Sequence, residues 1–456
     1  MADACVIGDS LPALAAALEL AEVGLDVRVA LGERPDWPAR GVRDPDGVLA
    51  SYLTRIAQPI AQEGSVAESA LPVLETPPLL HLRDARGAWA PLPEPEVLGI
   101  PAVPMSSEAL AFLRGGAGFR AYLDRLKPLL TVGKTHQLSR LVDVRLGKAV
   151  FERMVQPIVR ERFGTPDVEV AIAAPGLNEA LTLAGSLSGA ALAYAERDVA
   201  RETLVAPQGG WMALRSALIA RLELYGATIA AGPVAADGSA AGWLVRAGES
   251  EFEANTLVVD LHAAPAGSPA ETLGDLGPQQ VRAFATVATA RGDAPLDAGE
   301  ALDTVKLSDG TEWSVRLRAA RPDGVEGTLA EISGPALPEP PQAEVRDVLV
   351  AAGLEFAGHD PVGSESDAGD STVADPAGFD PTSGDPAAGD WVVRAAPFTS
   401  TAERDAGRIR LQAARAAEDM LLPIGSELHG DDLPEALADA QRAAITLRRR
   451  LTGIAD

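Results

Sequence analysis

Aromatic residues make up only 4% of this chain, and cysteine occurs once in 456 residues. A single cysteine excludes an intramolecular disulfide and any multi-cysteine metal site. Cys5 falls in the first apolar strand, where a buried and inert thiol is expected. No apolar stretch reaches the roughly 20 residues that span a bilayer. Basic residues are short: 39 against 65 acids, for a formal net charge of −26. Such a surface repels phosphate backbones and anionic headgroups, so no nucleic-acid partner and no electrostatic membrane docking is expected. The N-terminus has no basic leader and enters a strand directly, which reads as cytoplasmic. The five histidines, His81, His136, His262, His359 and His429, lack metal-ligand spacing and read as ordinary surface or loop residues, so no metal site is expected.

What is present is an Ala-, Leu- and Val-built core, with apolar residues at 47%. The length favours two interleaved or tandem domains. Ala4-Cys5-Val6-Ile7 predicts a short buried strand, Gly8-Asp9-Ser10 a turn, and Leu11 to Val23 a helix stopped by Gly24. Asp26 to Leu31 predicts the next strand, completing a βαβ start with a parallel sheet. Later, Leu79–Leu82 and Trp89–Leu92 predict a hairpin, Asn178–Glu196 buried helix, and Trp211–Tyr225 an amphipathic helix. Strands are expected at Ala227–Ala231, Gly242–Ala247 and Leu257–Leu261, and an antiparallel pair at Gly310–Arg318 and Gly327–Ser333. The chain should end in one helix, Leu433 to Leu451, with Arg448-Arg449-Arg450 suited to its C-terminal dipole.

Residues 360–390 differ from the rest. Acids recur every five positions from Asp360 to Asp390, with Pro, Gly, Ser and Ala between, and no Lys or Arg occurs from Asp347 to Val393. That composition predicts a solvated, disordered insertion rather than calcium-binding repeats.

The turn after the first strand is a dinucleotide fingerprint with altered residues. Such a turn uses glycine three times: for tightness, for close approach of a pyrophosphate and for helix–strand packing. Here those places hold Gly8, Ser10 and Ala13. Ser10 occupies phosphate space but keeps a donor hydroxyl, and Pro12 removes one N–H from the anion site. Asp9 adds a like charge beside the expected pyrophosphate, a repulsion of up to ~4 kcal/mol in a surface-like dielectric. The acid that would accept ribose hydroxyls is replaced by Leu31. Glu33, two residues on, is the candidate substitute if the strand runs longer.

Several segments, in order, resemble the flavin-dependent protoporphyrinogen and coproporphyrinogen oxidases of haem biosynthesis, in the amine-oxidase and phytoene-desaturase superfamily. They are Arg86 to Pro101, Arg145-Leu146-Gly147 through Glu152 to Pro157, Ala206 to Met212, Thr256 to Pro265, and Gly425 to Ala440. The resemblance implies an α/β fold, a Rossmann-like FAD-binding domain interleaved with a helical and antiparallel-sheet substrate domain. It implies the FAD unit at 1–80, 206–265 and 391–456, the substrate unit at 81–205 and 266–355, and the acidic insertion at 356–390. FAD is the implied cofactor. The candidate cofactor residues are Gly8, Ser10, Leu11, Ala13, Glu33, Arg34, Val234, Gly425, Ser426 and Leu433, with the Val234 backbone facing the adenine. The implied substrate is a porphyrinogen-like apolar small molecule in a large apolar pocket, oxidised by hydride transfer to flavin, and a haem-pathway protein partner is a further expectation. No catalytic side chain can be named, since the cofactor would carry the chemistry. In the closing motif Ser426 replaces an aspartate, and Asp439-Ala440 a serine–glycine pair. Two readings stay open: a working oxidase, or a non-catalytic paralogue that binds a porphyrin or a pathway partner without tight FAD.

Overall fold

The computed structural model describes the chain apart from residues 33–34, 60–65, 128–135, 196–202, 240, 268, 270–272, 291, 321–326, 356–390 and 454–456. The acidic insertion, Glu33 and Arg34 therefore lie outside the described residues.

Strand β1 (Ala2–Ile7) enters the centre of the molecule because nearly every side chain in it is apolar; Cys5, Val6 and Ile7 are fully buried. A strand buried on both faces suits a parallel sheet covered on both sides. Helix α1 (Leu11–Ala21) follows, with Ser10 as its N-cap and Pro12 in its first turn. All eleven residues of α1 are buried, Glu19 included, because other helices cover its outer face. Strand β2 (Val27–Leu31) then pairs parallel to β1. Beyond β2 lies Thr228–Ala231, and on the other side of β1 lies the long strand Ser250–Asp260, both parallel to their neighbours. The antiparallel strands Gly242–Ala247 and Val234–Ser239 extend that edge, and Leu421–Ile424 pairs with the far half of Ser250–Asp260.

One face of this sheet is covered by α1 and the helices Trp211–Leu224 and Leu433–Leu451, packed through Leu14, Leu18, Leu214, Leu218, Leu437 and Ala444. The other face carries Cys5, Ile7, Ala30 and Leu257 against Leu411 and Leu428. The helix supplying Leu411, Thr401–Ala417, was not expected from the sequence. It is strongly charged, and only its Ser400 cap with Glu403 three residues on marks its start.

A second, seven-stranded sheet runs Val392–Ala395, Val281–Thr289, Gly327–Ser333, Glu312–Ala320, Glu300–Lys306, Leu80–Arg83 and Trp89–Pro91. The expected antiparallel pair of residues 310–333 is its centre. One face packs Trp313, Val315 and Leu317 against the helix Val345–Ala351 and Trp391. A cap of short helices between Ser107 and Ala195 has its own core, with Phe112, Leu141, Met154 and Leu181. The single buried helix expected at Asn178–Glu196 is two, Leu177–Ala184 and Leu187–Ala195, broken at Gly185 with its positive φ. The architecture is a Rossmann-like α/β unit interleaved with a helical and antiparallel-sheet unit. Among the described residues no helix is long and apolar enough to cross a membrane.

Candidate functional site

In open α/β sheets a ligand crevice forms beyond the carboxyl ends of the strands, where the order of strands reverses. Here β1, β2, Ser250–Asp260 and Leu421–Ile424 all point their carboxyl ends at one place. That place holds Gly8-Asp9-Ser10, Leu31, Asp260 and Gly425-Ser426.

Gly8 has φ +140, and a Cβ there would stand 2.5 Å from Asp260 Cβ. The Ser10 hydroxyl donates to the Asp260 carboxylate and also accepts from Ala13 N–H at 3.3 Å. The other Asp260 oxygen accepts from His262 N–H at 3.2 Å. Asp260 is 2% exposed. Burial pushes its carboxyl up to about 6, and the nearby Asp36 adds to the rise, while the Ser10 hydrogen bond opposes it.

Asp9 turns to the other side. Its carboxylate accepts from Arg215 at 2.8, 3.0 and 2.6 Å and from the Trp37 indole at 3.2 Å. Arg215 comes from the helix Trp211–Leu224, and Trp211 packs 6.5 Å from Trp37 between ring centroids. The chain after β2 lies back across the turn. Asp36 N–H donates to Asp9 O at 2.9 Å, Asp36 forms a parallel bridge with Ser10, and its carboxylate pairs with Arg394 at 2.6 Å.

The closing segment completes the enclosure. Ser426 is 8% exposed and begins a short turn after Gly425. His262 Nδ1 lies 3.3 Å from Glu427, and that contact lifts the imidazole to about 8. Asp431 is raised to about 6 by burial. Asp439, of the Asp439-Ala440 pair, is held below the usual carboxylate range despite its burial by hydrogen bonds from His429 and Arg415. Ala440 packs in the core beside Leu437, and Leu433 opens the helix half-buried against that core.

The expected cofactor residues thus separate. Gly8, Ser10 and Gly425 meet around Asp260, with Ser426 next along the chain and Ala13 against Gly8, whereas Leu11 is fully covered in the α1 core. Val234 starts an outer strand and packs with the cluster of Ala30 and Leu261. β2 ends at Leu31, which is 5% exposed, and the candidate substitute Glu33 lies outside the described residues. The expectation for histidine needs one correction: His81 is buried in a strand; His262 and His429 lie in short turns, each facing a carboxylate. Arg448 and Arg450 reach Glu19 and Asp419 respectively, so their role extends beyond the helix dipole.

Sequence reasoning missed Asp260, Asp36, Arg215 and Arg394. The one available signal was an acid closing the apolar run Leu257-Val258-Val259 at the crevice end of a strand. It also missed the charges on the second sheet. Arg316 binds Glu161 at 2.5 and 2.6 Å and Glu300 at 2.6 Å, and Glu331 pairs with both Arg318 and Arg40. Alternation in Trp313-Ser314-Val315-Arg316-Leu317-Arg318 places these arginines on the face opposite the Trp313 core.

A pyrophosphate at the turn would meet three carboxylates, Asp9, Asp36 and Asp260, while the nearby cations Arg215 and Arg394 are already paired. Asp9 and Asp36 carry their own cations, so the repulsion falls on Asp260, whose charge at about 4 Å from a phosphate would cost up to about 4 kcal/mol at an effective dielectric of 20. Of the α1 donors, Pro12 has no N–H and Ala13 N–H is bonded to Ser10. Asp9 and Ser10 are each 4% exposed, covered by the chain's own atoms. The residues present do not fit the phosphates of FAD.

No family model and no curated protein sequence matches the chain. Among solved structures it is similar to the "Putative protoporphyrinogen oxidase" of Exiguobacterium sp. 255-15, with a TM-score of 0.66 and 14% identity over 98% of this chain and 99% of that one. It also matches cyclohexylamine oxidase from Brevibacterium oxydans IH-35A, TM-score 0.49 and 14% identity over 99% of both chains. Putrescine oxidase bound to putrescine matches with TM-score 0.48 and 13% identity, over 99% of this chain and 98% of that one. At these identities the first likeness shows the fold.

Proposed function

We propose that this chain is a protoporphyrinogen/coproporphyrinogen oxidase-like protein that keeps the FAD-dependent oxidoreductase scaffold and works without tightly held FAD, as a non-catalytic binding protein. In this reading its ligand is a porphyrin-like small molecule or a protein of the porphyrin pathway. The observation that carries it is the burial of the fingerprint turn: Ser10 is bonded to the buried Asp260 on one side, and Asp9 is buried against Arg215 on the other. A fold places a crevice, but activity depends on the groups within it. Here those groups are carboxylates already paired or hydrogen-bonded. The porphyrin side of the reading is supported by the whole-length likeness to the Exiguobacterium protein and by the sequence resemblance of Arg145 to Pro157.

A second reading, a working FAD-dependent oxidase of porphyrinogens, is favoured by the same whole-length fold and by the retained strand–turn–helix frame with Gly8 and Gly425. Bound FAD would supply hydride acceptance. The chain would have to lift the Asp36 segment away from the turn to admit it.

The two readings part on ligand binding by the purified full chain. Titration with a porphyrin should quench the tryptophan emission, while added FAD leaves the melting temperature unchanged. A stabilising shift with FAD, together with oxidation of a porphyrinogen, would transfer the conclusion to the second reading.

A further inference from the structure

Gly8 and Gly425 keep the conformation of a cofactor-binding turn, yet the space in front of them is not open. A Cβ on Gly8 would meet Asp260 Cβ at 2.5 Å, and a Cβ on Gly425 would collide with the Asp260 carboxylate. Both glycines have φ values, +140 and +123, that L side chains rarely adopt. The same carboxylate accepts hydrogen bonds from the Ser10 hydroxyl and from His262 N–H. One buried side chain thus lies where both glycines allow close approach, and it binds the fingerprint's own hydroxyl.

We infer that Asp260 is an internal stand-in for the cofactor's phosphate: its carboxylate fills the glycine cradle of this fold and is the group that closes it to dinucleotides. The chemistry matches. A carboxylate and a phosphate are both anionic oxygen acceptors, and a glycine turn leading into a helix N-terminus suits either. The cradle keeps its glycines because the Asp260 side chain now needs the room. The Asp36 segment bridges to Ser10 beside this plug, and the Asp9–Arg215 pair holds the other side of the turn. The inference rests on the reading that the chain holds no tight FAD, and it names the residue responsible.

The test compares the full chain with Asp260→Ala, Asp260→Ser and Asp260→Asn, each checked for folding by circular dichroism. FAD and ADP binding are read by thermal shift and by flavin retained through gel filtration. Removing the carboxylate should open the cradle, so Asp260→Ala or the milder Asp260→Ser should bind FAD or ADP at least tenfold more tightly than wild type. Asp260→Asn keeps the shape and should gain less than either. Folded Ala and Ser variants with no gain, beside a flavin-free wild type, would overturn the role of Asp260 and leave the functional reading intact. An Asn variant that gains as much as Ala would also overturn it, since bulk would then not be the block. A wild type that itself carries flavin would sink both.

Discussion

Replacing Arg215 by leucine should destabilise the protein far more than replacing the acid it serves. The Asp9 carboxylate is 2% exposed, and Arg215 supplies three of its four side-chain hydrogen bonds, the last coming from Trp37. Removing one partner of a buried pair leaves an uncompensated charge, at a cost of about 3–5 kcal/mol. Arg215 is itself 22% exposed, so water reaches part of the pair and the lower end of that range applies. The expected loss for Arg215→Leu is therefore about 3 kcal/mol, whereas Asp9→Gly removes the charge together with its need for a partner and should cost about 1 kcal/mol. The double variant should lie close to Asp9→Gly alone, giving a coupling of about 3 kcal/mol. Guanidinium unfolding followed by tryptophan fluorescence reads the change directly, because Trp37 and Trp211 stand beside the pair. Equal losses for both single variants, or simple additivity in the double variant, would refute the claim that Asp9 is a buried charge dependent on Arg215.

Three further expectations concern the same region. Asp260 and Asp431 are raised to about 6, and His262 to about 8, so in all three the folded state binds its proton more tightly than the unfolded chain. Their stabilising contributions are complete below the unfolded values and are lost as pH rises through the folded ones. The denaturant midpoint should therefore fall from pH 5 to pH 8. Asp260→Asn should flatten the part below pH 6, and an unchanged profile would remove the assignment. Gly8→Ala forces a Cβ into Asp260 at a φ of +140 and should cost more than about 2 kcal/mol, against about 1 kcal/mol for Gly87→Ala, where the φ of +82 is strained but the Cβ meets open space. A melting curve that places the two substitutions level would contradict the close approach. Cys5 is fully buried, and burial pushes its thiol up to about 12; it should resist a maleimide reagent until the protein unfolds. Rapid labelling of the native chain would contradict its place in the sheet.

Much of the fold was legible because it depends on local periodicity. β1, α1 and β2 follow from an apolar run, helical spacing and the stop at Gly24, and the structure places them within a residue or two of expectation. The final helix Leu433–Leu451 was equally plain, with Pro434 in its first turn. Elements defined by long-range pairing were harder. The strand Val281–Thr289 pairs with Gly327–Ser333 and Val392–Ala395, tens of residues on, and Glu300–Lys306, though next to Glu312–Ala320 in the chain, also pairs with Leu80–Arg83 more than two hundred positions back.

The site was half legible. The altered positions Ser10 and Leu31 and the charge of Asp9 could be read from the turn itself. What meets them could not, because Asp260 is 250 positions from Ser10 and Arg215 is 206 from Asp9. Sequence reasoning treated Asp9 as a repulsive neighbour of a phosphate, and in the folded chain that charge has a cation of its own. The closing motif shows the same limit. Asp439 looked like a lost serine, and the structure gives it Arg415 and His429 as partners.

The central claim is that the dinucleotide crevice of this scaffold is filled by the chain's own carboxylates. The most direct measurement is the absorbance spectrum of the purified full-length protein between 350 and 500 nm, with flavin released by denaturation as the check. The account predicts a colourless protein that releases no flavin and gains no thermal stability from added FAD; a yellow protein releasing about one FAD per chain would contradict it.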